Sequence, residues 1–176
     1  MGRENPLVRR QRQDATGAAL RGARVCGYCG GAGAPDGAAQ SASRLLTAAF
    51  KGDRVAFEAE IDRGAVREDV RRQVTALAQA TTLDVDGGPS EFALDRMISP
   101  AAIRLVHAGS GETLSAAPTP AQVAPLMKTM DANHACLHAA AAPDRCLLTF
   151  ARSGRAWRLV GMQANGLRLQ VELAAR

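Results

Sequence analysis

Residues 167–173, LRLQVEL, alternate without a break: Leu167, Leu169, Val171 and Leu173 fall on one side of an extended chain, and Arg168, Gln170 and Glu172 on the other. Such a strand has a dry face and a wet face, and the dry face obliges the chain to supply a cover. Three runs precede it: HACLH (134–138), RCLLTFA (145–151) and AWRLVGM (156–162). The turn-forming segments AAAAPD, RSGR and ANG separate the four runs, which predicts a four-stranded antiparallel meander.

The cover is available upstream. Leu45, Leu46, Ala49 and Phe50 recur at helical spacing, and Lys51-Gly52 closes that helix with a cation and a left-handed cap. Asp53 then caps a second short helix carrying Val55, Phe57, Ala59 and Ile61. Val66, Val70, Val74, Leu77 and Ala78 form one stripe of a third helix, with Arg67, Glu68, Arg71 and Arg72 on its other side. Shorter helices are predicted over about residues 90–97, from Ser99-Pro100 to the Gly109-Ser110-Gly111 stop, and from the TPAQ capping box at Thr119. The fold class expected is α+β: N-terminal helices packed on a C-terminal four-stranded antiparallel meander, in a single domain over residues 36–176.

Residues 1–35 lack any such period and predict a disordered basic tail, or a mis-called start. They carry six Arg against Glu4 and Asp14, whereas residues 36–176 carry sixteen Lys and Arg against fifteen acids. The net charge of +5 therefore sits mainly on the tail. With aromatics at only 3%, the domain offers no basic stacking platform, and nucleic acid is not an expected partner. No run reaches the roughly 20 apolar residues of a membrane span. The chain as written is expected in the cytoplasm.

The helical opening LLTAAFKGDRVAFEAEIDRGAVREDVRRQV and the later CLLTFARSGRAWRLVGM together resemble a bacterial domain-of-unknown-function family, the one numbered two-nine-three-nine. The matching positions are Gly52-Asp53, Ile61-Asp62, Val66-Arg67, Leu148-Thr149-Phe150 and Trp157-Arg158-Leu159-Val160-Gly161, within roughly residues 40–163. The resemblance implies no activity, cofactor or catalytic residue. It implies a hydrophobic leader or anchor before the first helix, and with it a periplasmic or membrane-anchored location.

Few residues suggest chemistry. Cys26 and Cys29 form a lone C-x-x-C, two of the four ligands of a structural zinc, with no strand before them, and are read as carrying no site. DVDGGP places Asp84, Asp86 and Asp95 at calcium-loop positions, but Pro89 stands where glycine is required, so it is read as a turn. Glu58, Glu60 and Asp62 share no helix face and read as solvated surface. Gly109-Ser110-Gly111 lacks the spacing of a nucleophile elbow.

His134, Cys136 and His138 alternate on one strand and form the one candidate metal set; the competing reading is a hairpin in which Cys136 faces Cys146 about a turn centred on Ala141. That pairing would permit a disulfide in an oxidising compartment. No cofactor is expected. AWRLVGM is apolar on both faces, with Val160 and Met162 set opposite Trp157 and Leu159, the core anchors. This surplus suggests an interaction surface. The expected function is a non-enzymatic binding or interaction module that meets a protein or small apolar ligand at an apolar surface or pocket of the sheet; the alternative is a metal-binding protein or small metalloenzyme using His134, Cys136 and His138.

Overall fold

The computed structural model describes residues 35–80, 89–164 and 168–174. Residues 1–34, with Cys26 and Cys29, and residues 81–88, with Asp84 and Asp86, lie outside that set, so the readings made of them are not addressed.

Helix α1 spans Pro35–Lys51. Gly52 ends it at φ 66°, a left-handed conformation that costs glycine little. Asp53 starts α2 (Arg54–Ala59) by accepting the Ala56 N–H at 3.0 Å. Helix α3 is Arg63–Ala80, with Val66 and Val70 buried. Helix α4 is Glu91–Met97, where the Ser90 hydroxyl accepts from the Ala93 N–H at 3.2 Å.

Beyond α4 the chain departs from expectation. Ser99-Pro100 initiates only a single 3-10 turn, Pro100–Ala102, before strand β1, Ile103–His107. The β-branched IRLVH run finds a strand partner, and that pairing overrides the local helix signal. The glycines at 109 and 111, both at positive φ, fold the chain back so that the Leu114 N–H donates to Leu105 O at 3.1 Å.

The TPAQ box likewise opens a helix of one turn, α5 (Pro120–Val123). Pro125 lies in the 3-10 turn that follows, Ala124–Leu126, and has no N–H with which to extend a helix. The chain then enters β2, Met127–Thr129.

Strands β3 (His134–Ala139), β4 (Ala142–Ser153) and β5 (Ala156–Met162) match three of the four expected runs. The antiparallel sheet has the order β2-β3-β4-β5, so its fourth member is β2. Strand β6, Leu169–Leu173, instead pairs in parallel with β1, with Leu105 opposite Val171.

The outer edge of β5 is occupied, which explains that correction. Leu159 N–H donates to Glu60 O at 2.9 Å, and Asp62 N–H to Leu159 O at 2.8 Å. Further along, Asp69 Oδ2 accepts from Met162 N–H at 3.2 Å, and Gln73 Oε1 accepts from Ala164 N–H at 2.9 Å. Helix α3 and its lead-in fill the hydrogen-bonding positions a fifth strand would need.

The fold is α+β, and the expected packing is met in part. Helix α1 contacts β1, β2, β3 and β5, and α3 contacts β5. Phe57, Phe150, Leu45, Leu46, Leu137, Leu148 and Leu159 are fully buried at the centre of one core.

Irregularities in the β3–β4 and β4–β5 ladders move side chains from their expected places. Cys136 pairs with Thr149 and His138 with Cys146, because the register shifts between Leu137 and His138 and again between His138 and Ala139. Cys136 and Cys146 are therefore not directly opposite, yet their Cα atoms lie 5.7 Å apart and the sulfurs are bonded.

On β5, Thr149 pairs with Gly161 but Phe150 with Leu159, which leaves Val160 as the extra residue of a bulge. Met162 pairs with Leu148, two residues from Phe150, and so returns to the face of Leu159 and Trp157. The expected opposition of Met162 to those residues is corrected by this single inserted residue.

Candidate functional site

The sheet residues singled out from the sequence do not assemble a reactive centre. Cys136 Sγ is committed to Cys146. His134 is exposed, with Nδ1 2.8 Å from Asp131 Oδ2. The carboxyl of Asp131 is held below the usual carboxylate range by the Asn133 N–H and by His134. Both ring nitrogens of His138 are buried without a hydrogen-bond partner. Among the described residues no three His, Cys, Asp or Glu side chains gather into a metal-ligand group. Met162 is buried in the core and Val160 half-buried, so an interaction face there has lost one of its two members. Glu58 and Glu60 each bind an arginine, Arg63 and Arg44 respectively, and Asp62 caps α3 by accepting from the Ala65 N–H.

A different surface stands out once the helices are in place. The chain has four phenylalanines. Two are fully buried, whereas Phe92 is 71% exposed and Phe50 37% exposed. In a chain with so few aromatics, a phenylalanine left in water forgoes a large share of its burial energy, about 1.5–3 kcal/mol for the full side chain.

Helix α4 sets Phe92 there by dividing its residues among three directions. Leu94 is buried in the core. Glu91 and Asp95, four apart, face α3, whose Arg63, Arg67 and Arg71 recur at the same spacing. Arg67 Nη2 donates to Asp95 Oδ1 at 2.6 Å and Arg63 Nη1 to the same oxygen at 2.9 Å, while Arg71 and Arg67 both hold Glu91. The Arg67 hydrogen bond, aided by Arg63, keeps the Asp95 carboxyl below its ordinary range.

Phe92 and Arg96, also four apart, are left on the outer side, where the Arg96 guanidinium lies 5.9 Å from the centre of the Phe92 ring. They line a groove of about 530 Å³ with Met97, Ala101, Ala102 and Arg168. Its far wall is the start of the parallel pair, since Ala102 leads into β1 and Arg168 into β6.

A second groove of about 320 Å³ shares Ala101 and Arg168 and adds Phe50, Arg104 and Thr113. The two exposed phenylalanines and three arginines therefore lie on adjoining surfaces, and no carboxylate lines either groove among the described residues. The acids of α4 are spent on α3, and among the described residues Arg96, Arg104 and Arg168 form no ion pair.

The sequence carried a trace of this arrangement. EFALDR places an aromatic and a cation at i and i+4 and two acids at a second i and i+4. Which pair would meet a neighbour and which would meet water was not contained in the spacing. No family model matches the chain, and no curated protein or solved structure gives a significant match.

Proposed function

We propose that the protein is a non-enzymatic interaction module, and that it meets its partner at the groove of Phe92, Arg96 and Arg168 rather than at the sheet face of Val160 and Met162. The observation that carries this reading is the exposure of Phe92 on a helix held in one orientation by an arginine ladder. Aromatic and arginine side chains on a fixed scaffold are the groups that dominate binding energy at protein interfaces. The apolar docking surface expected of the chain is retained and moved from the antiparallel sheet to the edge of the parallel pair. The resemblance to the domain family numbered two-nine-three-nine belongs to the same proposal; Gly52 and Asp53, which help carry it, act here as helix stop and helix start.

Titration of the purified protein with the amphipathic dye anilinonaphthalene sulfonate tests the surface. Saturable fluorescence enhancement is expected, together with at least a tenfold loss in Phe92→Ser. That variant should melt within about 2 °C of the parent, because it replaces an exposed side chain and leaves the Ser90 cap of α4 intact, and such changes alter stability by under about 0.5 kcal/mol. Equal dye binding by the variant overturns the assignment of the surface.

A further inference from the structure

We propose that the partner is a protein presenting an extended acidic segment. On this assignment an apolar side chain of the segment seats between Phe92 and Met97, and its carboxylates meet Arg96, Arg168 and Arg104. The proposal rests on the docking reading above and adds the chemistry of the occupant.

Charge is the first argument. Arg96 and Arg168 line one groove, Arg168 and Arg104 the next, and no carboxylate lines either among the described residues. Arginine binds carboxylate through two parallel N–H donors, a geometry that rewards an anionic partner more than a neutral one. Arg96 is partly pre-positioned, because its guanidinium already rests over the Phe92 ring at 5.9 Å.

Shape is the second. The two grooves adjoin through Ala101 and Arg168, and each has its own exposed phenylalanine. A compact ligand would fill one of them. An extended chain, with side chains alternating along its length, can use both.

Nucleic acid is also anionic, but it draws its affinity from many phosphate contacts and a broad positive field. Residues 36–176 carry sixteen basic against fifteen acidic side chains, so the domain's net charge supplies no broad positive field. Local charge with little net charge suits a short acidic segment.

The experiment uses the full chain, labelled with nitrogen-15, and three acetylated and amidated hexapeptides: EEFLEE, QQFLQQ and KKFLKK. EEFLEE is expected to shift the amides around Phe92, Arg96 and Arg168. It should bind about tenfold more tightly than QQFLQQ, and KKFLKK should not bind. Arg96→Gln and Arg168→Gln should each weaken EEFLEE several-fold, and about 0.3 M salt should erase most of its preference.

Equal binding of EEFLEE and QQFLQQ at the Phe92 groove overturns the acidic partner while leaving the docking surface in place. Absence of any peptide shift at the groove overturns the proposal, and the dye titration then reads the surface independently. Undiminished binding to an Arg96→Gln, Arg168→Gln double variant overturns it as well. Tighter binding of a hexathymidylate than of EEFLEE overturns it in favour of nucleic acid.

Discussion

Gly161 lies so close to Asp69 that a Cβ on it would sit 2.9 Å from Asp69 Oδ2. The carboxylate cannot simply swing aside. It accepts from the Met162 N–H at 3.2 Å, a bond that ties α3 to the outer edge of β5, and from Gln73 Nε2 on its own helix at 2.8 Å, which holds it in place. Gly161→Ala is therefore expected to destabilise the domain by about 1–3 kcal/mol, the range for overpacking a tight contact. Asp69→Ala should relieve the clash, so the double variant should lose less than the sum of the single changes in urea melts. Strict additivity would show that the contact does not constrain the edge.

The bulge at Val160 makes a sharper comparison. Met162 shares the buried face of Leu159, so Met162→Asp should unfold the domain about as badly as Leu159→Asp. Val160 is half-buried, and Val160→Asp should fold with a smaller loss. Circular dichroism melts decide the order. A stable Met162→Asp would mean that the bulge does not turn that side chain inward.

The Cys136–Cys146 bond closes a loop with a sequence separation of 10. In the chain-entropy description, such a loop stabilises by about 2.5–3 kcal/mol. Peptide mapping of oxidised protein, alkylated under denaturing non-reducing conditions, should recover both residues linked and unlabelled. Reduction should lower the melting temperature by several degrees, and a Cys136→Ser, Cys146→Ser variant should melt near the reduced protein. Alkylated Cys136 and Cys146 in the oxidised sample would contradict the bond.

Acid should loosen the link between α3 and its neighbours. The Arg63 hydrogen bond lowers the Glu58 carboxyl, and the Arg67 hydrogen bond lowers that of Asp95. A carboxyl depressed in the folded state contributes its stability above the unfolded value, about pH 4, and loses it as pH falls through the lower folded value. The gap in melting temperature between the parent and Arg63→Gln should stay constant from about pH 7 to pH 5 and shrink below about pH 4. A gap that persists unchanged to about pH 2.5 would assign the Arg63 effect to packing instead.

The sequence by itself determined the α+β class, the three N-terminal helices with their Gly52 stop and Asp53 start, and the runs that became β3, β4 and β5. Those features rest on periodicity and capping, which neighbours a few residues apart control. The partners of β1 and β6, the inward turn of Met162 and the outward placement of Phe92 depended on residues distant in the chain. Leu169–Leu173 alternates as cleanly as any strand, but alternation says nothing about which edge is free, and Glu60, Asp62, Asp69 and Gln73 had taken the edge of β5. Likewise EFALDR holds two pairs at i and i+4, and only the arginines of α3 decided that the acids would turn inward and leave Phe92 and Arg96 in water. Local patterns offer surfaces; tertiary contacts, which satisfy some and leave others open, assign their use.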